Sequence, residues 1–422
     1  MKEAWKPAKL GDIADVQSGG TPSISNQTFW GGDIPWYSSG ELNAAITSAP
    51  QRTISAAGIA GSNAKLFPAG SLLIGMYDTA ALKMSILDRD AAFNQAIAGV
   101  KPNGMMNMRF VFYALNAVKD ELLGQRRGVR QKNLSLGKVR DFPIPLPPLR
   151  EQSRIVAVLD EAFESITTAR ANAEKNLQNA RELIGTGYRS IVESFDQSQW
   201  GKAPVADLAA ASNGSMRTGP FGSQLLHSEF VDDGIAVLGI DNAVANEFRW
   251  DKRRYITEAK FRSLARYRVH PGDVLITIMG TCGRCAVVPD DIPLAINTKH
   301  LCCITLDRKK CLPDYLHLYF LHDPLARAYL AAQAKGSIMA GLNMGIISAL
   351  PVQLPPIDQQ ANIVERFNSL QAECDRLADV QTRKLAALDE LKHTLLHQAF
   401  TGGLSPSNDR QPHWRGLQMC TP

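Results

Sequence analysis

The feature that most constrains this chain is that it says the same thing twice. The stretch "NLSLGKVRDFPIPLPPLREQ", from Asn133, lies over "GLNMGIISALPVQLPPIDQQ", from Gly341, at an offset of 208 residues. In each copy a run of prolines forbids helix, and the residues after it read as the start of one. The offset continues into those starts. Ile155 falls on Ile363, Leu159 on Phe367, Ala162 on Leu370, Ile166 on Cys374 and Ala169 on Leu377. These positions step four and three residues in turn, as the seam of a coiled coil does. Ala173 then lies over Gln381, Leu177 over Leu385 and Ala180 over Leu388, so both copies take an extra four-residue step at the same place. Each patterned stretch runs about 40 residues, roughly 60 Å of helix at about 1.5 Å per residue. A helix that long with one apolar stripe needs a partner to cover it. The pattern predicts two long helices paired antiparallel, through Ile155, Leu159, Ile166, Leu177, Ile363, Phe367, Leu370, Leu377, Leu385 and Leu388. Packing of each helix on its own globular neighbour is the other reading.

The segments before the prolines correspond more loosely. "WKPAKLGDIADVQSGG", from Trp5, matches "WGKAPVADLAAASNGS", from Trp200, pairing Asp12 with Asp207 and Gly19 with Gly214. "PAGSLLIGM" matches "HPGDVLITIM", each a turn followed by a buried strand, and "FNQAIAGV" matches "INTKHLCCI" with Asn94 over Asn297. "MRFVFYALN" and "PDYLHLYFLH" are apolar helical stretches in like positions. The expected architecture is α/β: two mixed α+β domains separated by two antiparallel coiled-coil helices, a tandem duplication with pseudo-two-fold symmetry. The boundaries are a first globular domain over 1–148, a first spacer helix over 149–198, a second domain over 199–356, a second spacer helix over 357–400 and a tail over 401–422.

Length and charge fit that plan. At 422 residues the chain exceeds one ordinary core. Residues 1–148 carry 16 Lys+Arg against 11 Asp+Glu and residues 200–356 carry 17 against 14, whereas 149–199 carry 6 against 8 and 357–422 carry 7 against 8. Two basic globular segments thus alternate with two slightly acidic helical ones, an order that suits polyanion binding by the globular parts. Seven irregularly spaced cysteines, an N-terminus without an apolar signal region, and apolar runs far too short to span a bilayer lead to the expectation of a cytoplasmic protein.

Several chemistries have no motif here. There is no Gly-x-x-x-x-Gly-Lys-Ser/Thr phosphate loop, no Gly-x-Gly-x-x-Gly turn and no Asn/Asp-Pro-Pro-Tyr/Phe motif. "CGRC", Cys282 to Cys285, invites a zinc reading with Cys302, Cys303 and Cys311, but strand alternation would send Cys302 and Cys303 to opposite faces. His393 and His397, four apart on the last helix, read as a solvated or partner-facing pair. The expectation is no catalytic residue, no metal and no cofactor on this chain.

The ordered set of motifs resembles the specificity (S) subunit of type I restriction-modification systems. It comprises "LGDIADVQSGGTPS", "GGDIPWYSSGELN" and "PAGSLLIGMYDTA" in the first half. In the second half it comprises "TGPFGSQLL", "RRYITEAKF" and "HPGDVLITIMGTCGRCAVVP", and both Pro-Pro-x-x-(Glu/Gln)-Gln junctions complete it. The resemblance covers nearly the whole chain. It implies two target recognition domains, each reading one half of a bipartite double-stranded DNA site. It also implies helices that set the half-site spacing and dock two methyltransferase (M) subunits, which carry S-adenosylmethionine. Restriction (R) subunits using ATP and Mg would complete the complex. One departure stands out: the second junction reads Asp358-Gln359-Gln360 where the first reads Arg150-Glu151-Gln152.

With that resemblance, candidate DNA contacts can be placed. In the first half they are Thr21 and Ser23 in "GGTPS", Tyr37, Tyr77, Gln95, and Arg126, Arg127, Arg130 and Lys132 in an acid-free basic loop. In the second they are Arg217, Thr218 and Ser223 in "RTGPFGS", Arg253 and Arg254 in an aromatic-interleaved basic stretch, Arg284, Lys299 and Lys335. Phe261 and Leu264 within that basic stretch are expected to be core. Two rival readings stay open at this level: a coiled-coil scaffold whose basic domains bind protein or RNA, and an enzyme with an unfamiliar site.

Overall fold

A computed structural model of the chain describes residues 5–124, 133–250, 252–334 and 342–401, without the side chains of Asp78 and Ala334. The chain forms two compact units that interleave along the sequence. Unit 1 is Met1–Ala173 with Arg383–Pro422, and unit 2 is the continuous stretch Glu174–Thr382. Two helices of 45 residues, Leu149–Glu193 and Ile357–Thr401, each give one half to each unit. The first therefore ends five residues before the boundary expected at 198, and a short 3-10 turn, Gln197–Gln199, follows it.

The strands of unit 1 are β1 (Pro7–Lys9), β2 (Val16–Ser18), β3 (Trp30–Tyr37), β4 (Arg52–Ile54), β5 (Leu72–Gly75), β6 (Met84–Ile86), β7 (Ala92–Phe93), β8 (Ile97–Val100) and β9 (Pro143–Pro145). Those of unit 2 are β10 (Gly201–Pro204), β11 (Met216–Thr218), β12 (Phe230–Val231), β13 (Ile235–Leu238), β14 (Tyr255–Ile256), β15 (Arg268–Val269), β16 (Val274–Thr277), β17 (Cys285–Val287), β18 (Ala295–Asn297), β19 (Leu301–Ile304) and β20 (Pro351–Leu354). Antiparallel sheets in the order β2-β8-β5-β6 and β11-β19-β16-β17 repeat one plan. Each is accompanied by a second sheet built on a parallel pair, β3 with β7 and β13 with β18. Unit 2 enlarges that second sheet to the order β12-β14-β13-β18-β15.

The repeated four-stranded sheet is buried on both faces, which is why its strands read as unbroken apolar runs. Leu72, Ile74, Ala98 and Val100 pack with Val111 and Leu115 of helix Met108–Ala117, while Leu73 and Ile97 point the other way, toward Tyr37 and Phe93. Unit 2 repeats the alternation: Val274, Ile276, Cys302 and Ile304 join helix Pro313–His322, and Leu275, Leu301 and Cys303 face Val269 and Val288. Cys302 and Cys303 thus lie in different cores, as alternation requires.

The proline segments are strands, not mere brakes. β9 pairs antiparallel with β1, and β20 with β10, so each globular domain enters and leaves through one two-stranded ladder. The glutamine shared by the two junctions then pins the long helix to its domain. Gln152 is buried; its carbonyl accepts from the Asn107 N–H at 2.8 Å, and its amide donates to Pro147 O at 2.9 Å and Met105 O at 3.3 Å. Gln360 repeats this with Leu312 N–H at 2.9 Å, Pro355 O at 2.9 Å and Lys310 O at 3.0 Å. The neighbouring departure is accommodated separately. Glu151 pairs with Arg154 at 2.9 Å, whereas Gln359 accepts from the Trp200 indole N–H at 2.9 Å.

Within each unit the helix halves run antiparallel. In unit 1, Ile155 and Leu159 pack with Leu396 and Ala399, and Arg170 meets Asp389 at 2.5 Å. In unit 2, the rings of Tyr188 and Phe367 are 6.0 Å apart, and Gly187 lies under Leu370, where a Cβ would come within 2.1 Å of a methyl carbon. The same residues also reach their own domains: Ile155 and Leu159 touch Phe110 and Tyr113, and Ile363 and Phe367 join the cluster of Tyr315 and Tyr319. Both expected modes of packing therefore operate at once. Ile155, Leu159, Ile166, Ile363 and Phe367 are buried, and Leu177, Leu370, Leu385 and Leu388 half-buried. Leu377 is a correction. It is 39% exposed, because the stripe runs from buried Cys374 through half-buried Ala378 to buried Gln381, placing the extra four-residue step earlier in the second helix. Among the described residues no helix is long and apolar enough to cross a membrane.

Candidate nucleic-acid interface

In unit 1 the loops that follow β2, β3, β5 and β7 are tied into one rim. Gly19 N–H donates to Ile97 O at 3.2 Å, Gly20 N–H to Phe93 O at 2.9 Å, Asn94 N–H to Tyr37 O at 2.9 Å and Met76 N–H to Ala96 O at 2.9 Å. Unit 2 builds a corresponding rim after β11, β13, β16 and β18, with a different acceptor for its glycine. Gly219 N–H donates to Thr298 O at 3.3 Å, Thr298 N–H to Leu238 O at 2.9 Å and Ile278 N–H to His300 O at 2.9 Å. A Cβ on Gly19 would sit 2.1 Å from Phe93 O, and one on Gly219 would sit 2.1 Å from Asn297 O. Only glycine allows the first loop to approach the second so closely.

The strand registers correct two sequence pairings. The structural partner of Gly19 is Gly219, not Gly214: Ser18 pairs with Ala98 where Thr218 pairs with Cys302, and the turn around Gly214, at positive φ, lies ahead of β11. Asn94 corresponds to Thr298, one residue beyond Asn297, since Tyr37 pairs with Phe93 and Leu238 with Asn297 in the two parallel ladders. With the register set this way, Ser23 matches Ser223 and Gln95 matches Lys299. Lys83 matches Arg284, since Gly75 N–H donates to Lys83 O at 2.8 Å where Thr277 N–H donates to Arg284 O at 2.9 Å.

Thr21, Ser23, Tyr77 and Gln95 are exposed on the unit 1 rim. The Thr21 hydroxyl donates to the Gln95 side-chain carbonyl, and Tyr77 bridges backbone to Asn133. On the unit 2 rim Ser223 and Arg284 are exposed, and Lys299 is half-buried. Arg253 is exposed beside the Trp250 ring, 5.5 Å from its centroid, and half-buried Arg254 is ion-paired with Asp241. The His300 imidazole is held below its ordinary range, first by burial and then by the positive charges of Lys299 and Arg254. Farther along the basic stretch the charges are engaged: Lys260 with Glu229 at 2.6 Å and Arg262 with Glu258 at 2.9 Å. Leu264 is buried and Phe261 packs against the same cluster.

Two candidates leave the set. Tyr37 is 1% exposed, with its hydroxyl donating to Ser48 O at 2.7 Å; it supports the rim from beneath. Arg217 is a buried structural cation, paired with Asp273 at 2.5 Å and donating to Gly214 O at 3.1 Å and the Thr305 hydroxyl at 3.0 Å. Thr218 is half-buried within β11 opposite Cys302. Arg126, Arg127, Arg130, Lys132 and Lys335 lie outside the described residues, although Leu134 N–H, close to the first group in sequence, donates to Met76 O at 2.7 Å on the rim. Sequence reasoning missed Lys83 and His300; the offset signal exposes Lys83 only once the correct register is known. Among the described residues no three His, Cys, Asp or Glu side chains gather to hold a metal. Cys285 and Cys302 are core, and burial pushes the Cys302 thiol up to about 12.

Comparison with known proteins gives consistent neighbours. The family model "Type I restriction modification DNA specificity domain" matches residues 2–177 and 251–385. The EcoBI specificity subunit of Escherichia coli is 24% identical over 341 residues, covering 75% of this chain and 70% of the relative. The MjaVIII specificity subunit of Methanocaldococcus jannaschii is 20% identical over 420 residues, 97% and 95% of the two chains. Among solved structures, a chain from a study of assembly and conformational transition in the type I R-M system aligns with TM-score 0.73 at 16% identity, covering 96% of this chain and 99% of that one. The HsdS subunit of Thermoanaerobacter tengcongensis aligns with TM-score 0.61, also at 16% identity, over 96% and 98%. At those identities the structures speak to the fold alone.

Proposed function

From the premise that this chain belongs to the type I restriction modification DNA specificity family, we infer that it is the non-catalytic, sequence-reading subunit of a type I restriction-modification complex. The observation that carries the reading is the duplicated rim. Two sets of loops on corresponding strands present polar and basic side chains, and two equivalent backbone hydrogen bonds hold each set: Asn94 N–H to Tyr37 O and Met76 N–H to Ala96 O in one, Thr298 N–H to Leu238 O and Ile278 N–H to His300 O in the other. A single active site has no use for two such rims, whereas a two-part DNA target does. Each unit reads one half of a double-stranded target through Thr21, Ser23, Tyr77, Gln95 and Lys83, or through Ser223, Arg253, Arg254, Arg284 and Lys299. The cations serve phosphates and base edges, and the amide and hydroxyls serve base edges.

In this reading the two long helices set the separation of the half-sites and dock two methyltransferase subunits. Those subunits bring S-adenosylmethionine and flip the base to be modified, and restriction subunits bring ATP and Mg. This chain contributes position and sequence selection. The scaffold alternative predicts no sequence preference for duplex DNA. Methylome sequencing of cells expressing the chain with its methyltransferase partner, against the partner alone, tests the assignment. A chain-dependent, two-part motif with a fixed gap is expected; its absence, with the two proteins co-purifying and the partner active with another specificity chain, would overturn it.

A further inference from the structure

One loop position carries a different polar side chain in each unit, between equivalent backbone hydrogen bonds. The residue before it donates its N–H to the end of the parallel-paired strand: Asn94 to Tyr37 O and Thr298 to Leu238 O, both at 2.9 Å. The residue after it accepts from the loop that follows the central strand: Ala96 O from Met76 N–H and His300 O from Ile278 N–H, again at 2.9 Å. Between them stand Gln95 and Lys299. The backbone is held on both sides while the side chain is free to differ.

Their chemistries diverge in a definite way. Thr21 donates to the Gln95 carbonyl, which orients the amide. The Gln95 Nε2 donates to no described residue, and Oε1 keeps a second lone pair. A free donor beside a free acceptor is the pattern that pairs with N7 and N6 of adenine in the major groove. Lys299 offers donors only, and its ammonium makes no hydrogen bond or ion pair among the described residues. Donors alone suit O6 and N7 of guanine and cannot accept from the adenine amino group. Just before Lys299, Asn297 Oδ1 and Thr298 Oγ1 are buried without a partner. Such atoms are uncommon in native folds.

We propose that this position reads a base in both units, and that the two half-targets differ there, with adenine opposite Gln95 and guanine opposite Lys299. The proposal rests on the DNA-reading assignment above. It is tested by methylome sequencing of the full chain with its methyltransferase partner, comparing wild type, Gln95→Lys and Lys299→Gln. Gln95→Lys is expected to change one A·T pair to G·C in one half of the motif, and Lys299→Gln one G·C pair to A·T in the other half. An unchanged motif in both variants overturns the proposal. No two-part motif with the wild-type chain removes the DNA-reading assignment itself, and this proposal with it. Where a swap abolishes methylation, purified complexes carrying Gln95→Ala or Lys299→Ala are titrated with duplexes bearing each base pair at that position. Loss of roughly 5- to 150-fold discrimination at one pair only supports base reading. Equal weakening on every duplex, with a shallower salt dependence, marks a phosphate contact and overturns it.

Discussion

Replacing Gln360 with alanine should unravel the junction between the second long helix and its domain. The side chain is fully buried and makes three hydrogen bonds of 2.9 to 3.0 Å, one accepted from Leu312 N–H and two donated to Pro355 O and Lys310 O. Each is worth about 1 kcal/mol net, and the variant also strands an amide and two carbonyls away from water, so the loss is about 3–5 kcal/mol. For a unit of this size that corresponds to a drop in Tm of about 6–20 °C. Urea unfolding of the full chain, followed by far-UV circular dichroism, reads it directly. Gln152→Ala should act on unit 1 in the same way but less strongly, because its contact to Met105 O is longer, 3.3 Å. Gln360→Glu keeps the acceptor but sets a carboxylate against two carbonyls. At pH 7 it should be at least as damaging as alanine, recovering as the pH falls and the carboxyl regains a proton to donate. If both alanine variants unfold within 1 kcal/mol of wild type, hydrogen bonding at the junction is not what fixes the helix, and the argument fails.

Three further outcomes follow from the same geometry. Gly19→Ala and Gly219→Ala each force a methyl to within 2.1 Å of a backbone oxygen, so each should lower stability by about 1–3 kcal/mol and loosen its rim, seen as faster amide exchange at Asn94 or Thr298. His322 lies against Phe367 and Tyr188, with ring centroids 4.8 and 5.9 Å away, and burial pushes its pKa down from 6.5 to about 4. Its neutral form is the folded form, so its contribution is present above pH 6.5 and is lost as the pH falls toward 4; His322→Phe should therefore lose less Tm than wild type between pH 7.5 and pH 5. Arg284→Ala, at an exposed rim position, should weaken binding to all duplexes alike and reduce the slope of log affinity against log salt by about one, measured by fluorescence anisotropy.

The long helices and their seam were legible because burial at Ile155, Leu159, Ile363 and Phe367 imposes a period that survives divergence. The doubling of the sheets was legible for a similar reason, their strands being apolar on both faces. What was not legible was register. Short strands of three or four residues pair across long separations, and the turn at Gly214 shifts the first loop without altering the apolar pattern. Site residues fared according to their neighbours. Gln95 and Lys299 stand in sequence among many candidate DNA contacts, and only hydrogen bonds place them at one position, whereas Arg217 looks like a DNA contact until Asp273, 56 residues away, claims it. A charged side chain advertises its charge in sequence but not the partner that neutralises it.

The interleaving of the units sets an order in time. Unit 2 is one continuous stretch and can close as soon as Thr382 has left the ribosome. Unit 1, although it begins first, needs residues from Arg383 onward, and the stripe around Ile155 and Leu159 must wait for Leu396 and Ala399. At about 5–20 residues per second of synthesis, that wait lasts roughly ten to fifty seconds. The downstream unit is therefore completed before the upstream one. During that interval the first spacer helix has only its own domain, through Phe110 and Tyr113, to cover Ile155 and Leu159, which makes that segment the place where a chaperone, or an early-binding partner, has most to protect.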